Sequence, residues 1–218
     1  MAIGGLLIGL GNPGCEYARS RHNFGFMLID ELLRVEQKNP SAGIEKQNLG
    51  KNIHELWKIY FSPPPALPWL LLKPLTYMNN SGQSAGMVAD YYSIAPRDII
   101  VAHDELDLPL GRMRFKFSGG SAGHRGVDSL AEHLGGNDFY RLRLGIGKRE
   151  DQQAIRHVLG HFSREDLVSV QKILETACRG FRLFYDNSDN KEQALKITRE
   201  FINSFRLPVD AEKNYPLA

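Results

Sequence analysis

The stretch LLIGLGNPGCEYARSRHN, Leu6 to Asn23, decides the fold. An apolar run stops abruptly in a glycine-rich polar turn and is followed by a histidine, the pattern of a buried strand delivering functional groups to a sheet edge. Gly9, Gly11 and Gly14 satisfy GxGxxG, so a dinucleotide-binding reading comes first. In that fingerprint the third glycine opens a helix whose free amides face a pyrophosphate. Here Pro13 removes one such donor, and Cys15 to Asn23 has no apolar helical face. The acid due about 20 positions on, at the end of a second strand, has only Asp30 and Glu31 as candidates. Both lie in FGFMLIDELLRV, where Phe24, Met27, Leu28, Leu32 and Val35 recur at helical spacing. The turn's mechanics therefore disfavour a nucleotide.

Working outward, strand-like runs at Leu6–Leu10, Leu56–Phe61, Leu70–Lys73, Ile99–Ala102, Met113–Phe117 and Leu142–Ile146 alternate with helical patterns at Asn23–Val35, Ser81–Tyr92 and Ala122–Leu134. Such alternation predicts an α/β layered fold. Two further helices, Glu165–Tyr185 and Asn190–Phe205, follow the last strand, and Asn80 with Gln83 reads as a capping box that starts the helix after Asn79. Gln37 to Pro68, with its stiff PPPALP segment, reads as a partly stranded excursion, and the terminal KNYPLA as a frayed tail.

The 218 residues fit a single domain spanning 1–218, with 210–218 frayed, large enough to bury a core without disulfides or metals. A net charge of +2 selects no partner, so the local clusters matter. Cys15 and Cys178 have no CxxC or zinc-ligand spacing, which predicts a reducing compartment. There is no basic n-region at the start and no apolar run of about 18 residues, so a cytoplasmic protein without a membrane span is expected.

Several strand-like runs end in polar groups: Asn12 after the first, Asn79 after LLLKPLTYM, and His103, Asp104, Glu105 and Asp107 after DIIVA. In α/β sheets ligands bind outside the carboxyl ends of strands. Brought together with His22, Asn12, Asn79 and Asp104 supply a base, a carboxylate to orient it and carboxamides to position a substrate, the minimum for activating water. Each also has a structural reading, as a turn, cap or helix-start residue. Cys15 has no visible activating partner, so direct hydrolysis is favoured over a covalent intermediate.

A second cluster, RMRFKFSGGSAGHRG, alternates Arg112, Arg114 and Lys116 with Met113, Phe115 and Phe117, which places the cations on one strand face. A glycine-rich loop carrying His124 and Arg125 follows, and Arg141 and Arg143 repeat the alternation. A solvated sheet face would explain one pair of cations. Five or six around a loop whose amides can approach an anion read as a phosphate-tracking surface, and so as a nucleic-acid substrate.

GLGNPGCEYARSRHNFG, KPLTYMNNSG, VAHDELDLPLG, FKFSGGSAGHRG and FYRLRLGIG, in this order from residue 6 to about 147, resemble the successive motifs of bacterial-type peptidyl-tRNA hydrolases. The resemblance implies a single-domain three-layer α/β/α fold with a twisted mixed sheet, acting as a monomer that cleaves the ester between a peptide and the 3′ ribose of its tRNA. It implies no metal, no organic cofactor, no obligate protein partner and no membrane. It assigns the catalytic histidine to His22 and its aspartate partner to Asp104. It also assigns Asn12, Tyr17, Met78 and Asn79 to the substrate and Lys116 and Arg143 to the tRNA; the basic cluster and its loop add His124 and Arg125 as substrate residues and Arg114 and Arg141 as tRNA residues. The family usually has GHNG where this chain has GHRG, so Arg125 is expected to replace a neutral hydrogen bond with a charged grip on a 3′-terminal phosphate. Two other classes stay open: a nucleotide-dependent oxidoreductase, which needs a ribose-binding acid, and a tRNA-binding module, which needs the basic strip but neither His22 nor Asp104.

Overall fold

The computed structural model describes residues 2–61, 67–148 and 154–207. Most of PPPALP and the expected frayed tail at 210–218 lie outside them.

Seven strands form one sheet: β1 (Gly5–Gly9), β2 (Gly43–Gln47), β3 (His54–Tyr60), β4 (Trp69–Pro74), β5 (Ile99–Glu105), β6 (Met113–Phe117) and β7 (Tyr140–Gly145). Their order is β2-β3-β4-β1-β5-β7-β6. The central strands β4, β1, β5 and β7 run parallel, whereas β2, β3 and β6 are antiparallel to their neighbours. Helices cover both faces. Leu7, Ile100, Ala102 and Leu142 pack on one side with Phe24, Leu28 and Leu32 of α1 (Phe24–Glu36) and Ile173, Phe181 and Phe184 of α5 (Arg164–Asp186). Leu6, Ile8, Leu70 and Val101 pack on the other with Ala85 and Val88 of α2 (Ser81–Tyr92) and Val127 and Leu130 of α3 (Arg125–His133). The layered α/β fold expected from the alternation is therefore present, as is the three-layer mixed sheet that the resemblance implies. No helix among the described residues is long and apolar enough to cross a membrane.

The glycines of the first turn serve packing. A Cβ on Gly9 would lie 2.3 Å from Gly25 O, and one on Gly25 would lie 2.3 Å from both Leu10 N and Ala102 O. Backbone thus meets backbone where α1 crosses β1. Gly11 makes room for the Phe26 ring, and no helix opens at Gly14, which sits in a turn at φ +109°. The pyrophosphate geometry of a dinucleotide fold is absent from this turn.

Three local expectations are corrected and one element is new. Asn80 precedes α2, but its side chain makes no capping bond. A 3-10 turn at Met78–Asn80 leads into the helix and leaves Asn80 at φ −119°, ψ 10°, away from the extended backbone of a capping residue. The helix expected from Ala122 starts at Arg125, because Ala122 and Gly123 have φ +53° and +80°, outside helical geometry. Strand β5 does not stop at Ala102 but continues through buried His103, Asp104 and Glu105, with β7 pairing to its end. A short helix, α4 (Ala154–Leu159), was not anticipated.

At the β6 edge of the sheet, Asn203 of α6 (Lys191–Ser204) accepts from Phe115 N at 2.7 Å and donates to Phe115 O at 3.3 Å. Leu207 N donates to Gly111 O nearby.

Candidate active site

The adjacent parallel strands β4, β1 and β5 end on the same side of the sheet, and the segments that follow them bring Met78 and Asn79, Asn12 and Asp104 together. Asp104 is 2% exposed, and its Oδ1 accepts from both His22 Nδ1 at 2.8 Å and His124 Nε2 at 2.9 Å. Burial pushes this carboxyl up, but the charge and hydrogen bond of His124, followed by those of His22, outweigh burial and hold it well below the usual carboxylate range. It is therefore ionised and accepts both bonds.

These partners fix the tautomers. His124 caps α3 by accepting from Val127 N at Nδ1, so its proton is on Nε2 and points to Asp104. His22 donates through Nδ1, which leaves Nε2 as a lone pair with no protein partner among the described residues. Behind them His103, fully buried and held well below the ordinary histidine range by burial first and His124 next, donates from Nδ1 to Asp104 O at 2.7 Å and sets its ring edge-on to His124 at 4.8 Å. It is a neutral wall behind the relay. Ligand atoms of His22, Asp104 and His124 lie within 4.8 Å of one another, close enough for a cation. The histidine nitrogens nearest Asp104 already carry hydrogens bonded to it, so an ion would have to displace both. The donor set suits a proton relay.

Asn12 is placed by its neighbours. Asn23, unnoticed in the sequence, accepts from Asn12 N and donates to Asn12 O, both at 2.9 Å, and Asn12 Oδ1 accepts from Met78 N at 2.8 Å. A carboxamide pair thus ties the turn after β1 to the 3-10 turn after β4. Met78 is buried, with its sulfur against Gly126, whereas Asn79 is exposed.

Two adjoining clefts meet at His22. One, of about 250 Å³, is lined by Asn12, His22, Tyr77, Met78, Asn79, Arg125 and α4. The other, of about 360 Å³, is lined by His22, Asp104, Glu105, Asp107, the 121–125 loop, Lys148 and α4. His22, Arg125, Ile155 and Val158 belong to both and form the waist between them. Helix α4 is anchored beside the histidine: Arg21 N donates to Gly160 O, and Ser20 bridges to His161. Its signal was legible as Ile155, Val158 and Leu159 at i, i+3 and i+4, and Ile155 is 60% exposed over the waist.

Three of the assigned residues stand apart from the clefts or are already engaged by the protein. Tyr17, half-buried in the turn after β1, lines neither cleft. His124 borders the larger cleft, but both of its ring nitrogens are already engaged, so it orients Asp104 and has no free nitrogen for substrate. Arg141 is 2% exposed and donates to Gly120 O at 2.8 Å and Ser118 O at 2.7 Å. Its side chain is withdrawn from the surface and pins the glycine-rich loop. Arg143 pairs with Glu105 at 2.6 Å, leaving Arg114 exposed and Lys116 half-buried on the strip. Lys116 is pushed below the ordinary lysine range by burial and by the charges of Arg141, Arg143 and Arg114. Cations aligned across β6 and β7 at Arg114–Arg143 and Lys116–Arg141 repel one another, so an anion relieves the strip. Cys15 lies exposed, its Sγ 3.8 Å from Glu16 Oε2.

Comparison with known proteins agrees with this geometry. The family model described as peptidyl-tRNA hydrolase matches residues 6–203. A peptidyl-tRNA hydrolase of Nitratidesulfovibrio vulgaris is 49% identical over 207 residues, covering 94% of this chain and 100% of the relative, and one of Lawsonia intracellularis is 39% identical over 209 residues, covering 95% and 96%. The crystal structure of the Acinetobacter baumannii peptidyl-tRNA hydrolase superposes with a TM-score of 0.79 at 31% identity, covering 94% of this chain and 98% of that one. With its motifs in order along the sheet and its relatives matched nearly end to end, the chain belongs to the peptidyl-tRNA hydrolase family.

Proposed function

We propose that His22 is the general base with which this chain performs the hydrolysis of its family, cleavage of the ester between a peptide and the 3′ ribose of tRNA. The observation that carries the assignment is the free Nε2 of His22 at the waist of two clefts, with Nδ1 held by an ionised Asp104. Water is the nucleophile. As its oxygen bonds to the ester carbonyl carbon, its proton passes to His22 Nε2, and Asp104 steadies the imidazolium that forms. Collapse of the tetrahedral adduct breaks the carbon–oxygen bond to the ribose, and the departing 3′ oxygen takes the proton back. Asn79 and Asn12 flank the smaller cleft, which suits a peptide backbone seeking hydrogen bonds, and the larger cleft is walled by Ser121 to Gly123 of the glycine-rich loop and by Glu105, the partner of Arg143, which suits the nucleotide end. Met78, buried below the smaller cleft, shapes its floor. The chain acts as a single-domain cytoplasmic monomer with no metal, organic cofactor or obligate protein partner.

The test is release of free tRNA from N-acetylated aminoacyl-tRNA, run beside free aminoacyl-tRNA. Selective cleavage of the acetylated substrate is expected. Salt-sensitive tRNA binding without cleavage would leave a binding module instead.

Asp104→Asn is expected to lower kcat about 10²-fold, because a carboxamide can turn its amide toward His22 and favour the wrong tautomer. An effect confined to KM would make Asp104 a binding residue. Asp104 also links stability to pH. Its folded pKa is depressed, so its contribution is present above the ordinary carboxylate value of about 3.9 and is lost as pH falls through the lower folded value. The stability advantage of wild type over Asp104→Asn should shrink on acidification below about pH 4, as read by urea midpoints across pH. Lys116→Ala should raise KM, leave kcat unchanged, and reduce the slope of log affinity against log salt by about 0.7 to 0.9. An unchanged slope would remove Lys116 from the phosphate surface.

A further inference from the structure

Arg125 stands apart from the other cations of the two clefts. Lys148 pairs with Asp107 and Arg143 with Glu105, whereas Arg125 is exposed and has no ion pair or side-chain hydrogen bond among the described residues. It is also the one charged side chain common to both clefts, among the residues that line them. It opens α3 directly after His124, at the positive end of the helix. His22 and Asp104 hold the base and its counter-ion on one side of the waist, and nothing in that pair neutralises negative charge on an attacked carbonyl oxygen.

We propose that Arg125 is the electrophilic catalyst of this enzyme, donating to the carbonyl oxygen of the ester as it becomes an oxyanion. The inference rests on the ester-hydrolase reading and adds to it the group that receives the developing charge. Two features of the waist support the role over a phosphate grip. The scissile bond lies there because His22 does, and the glycine-rich loop with Lys116 already provides a separate place for phosphate. The bond changes are those of the hydrolysis above: water oxygen joins carbon, the carbonyl π electrons move to oxygen opposite Arg125, and they return as the ribose oxygen leaves. A guanidinium stays charged throughout and offers several donors in a fixed plane, so no proton moves to or from it.

The test compares wild type with Arg125→Asn, Arg125→Lys and Arg125→Ala on N-acetylated aminoacyl-tRNA, with kcat, KM and the salt dependence of kcat/KM measured for each. Arg125→Ala and Arg125→Asn should lower kcat about 10- to 100-fold with KM and the salt slope unchanged. This lies below the 10²- to 10³-fold range of a fully desolvated donor because Arg125 is exposed. Arg125→Lys should recover part of kcat by restoring the charge. A rise in KM with unchanged kcat and a slope smaller by about 0.7 to 0.9 would assign Arg125 to a phosphate and overturn the proposal. Unchanged kinetics in all three variants would overturn it as well. Failure of the ester-hydrolase reading is distinct, since wild type itself would then release no tRNA. The exposed position lets all three variants fold, which thermal melts would verify.

Discussion

Replacing His22 with alanine is expected to lower kcat roughly 10²- to 10⁴-fold, the share of a positioned general base, while substrate affinity stays close to wild type. The reasoning is geometric. His22 supplies the one lone pair of the buried relay that faces open cleft, because the proton on Nδ1 is held by Asp104 and the nitrogens of His124 are both engaged. Removing the ring leaves Asp104 bound to His124 and a small void at the waist, so the fold should persist. Single-turnover release of tRNA from N-acetylated aminoacyl-tRNA, with binding followed separately, measures both quantities. Near-wild-type turnover would take His22 out of the reaction. A loss traced entirely to weaker binding would make it a substrate contact.

The second large effect is on stability. Gly25→Ala should cost about 3 kcal/mol, the upper part of the range for overpacking. The new methyl would sit 2.3 Å from Leu10 N and from Ala102 O, backbone atoms that cannot rotate away as a side chain could. The same atoms carry the hydrogen bond from Leu10 N to Ala102 O at 2.9 Å, so relief by displacement breaks the junction of β1 with β5. A fall of about 6 to 12 °C in Tm follows for a chain of this size. An unchanged Tm would show that α1 can lift from the sheet, and activity would then report whether His22, one turn before α1, moves with it.

Much of this architecture was legible beforehand, for identifiable reasons. Apolar runs such as Leu6–Leu10 and Leu70–Lys73 are buried on both faces, and the parallel strands they form read as continuous hydrophobic segments. Helices with a one-sided apolar stripe, such as α1 and α5, were equally clear. The polar residues after Leu10, after LLLKPLTYM and within HDELD stood out because apolar strands have no other use for them, and His22, Asp104, Asn12 and Asn79 do gather at the strand ends. What could not be read depended on contacts distant in sequence. Arg141 alternates like a surface cation, yet it is buried by carbonyls more than 20 residues away. His124 looks like a loop residue until β5 places Asp104 beside it. Asn23 is an ordinary helix-start asparagine except for its double bond to Asn12. Helix α4 does carry an apolar stripe at Ile155, Val158 and Leu159, but six residues are too few to stand out until the assembled sheet supplies their partner surface.

Asn203 bears on how this molecule behaves in a crowd. An open sheet ends in a row of unpaired amides and carbonyls that any other extended chain can match. At the β6 border a side-chain amide imitates such a visitor, satisfying Phe115 N and Phe115 O from within. Growth by adding strands is thus hindered there by a residue of helix α6. The opposite border, β2, places Glu45 and Lys46 side by side in its strand GIEKQ, so an incoming strand would have to accommodate both charges. One border of the sheet is thus plugged by a side chain and the other carries a pair of opposite charges, so neither offers a bare template to a second extended chain.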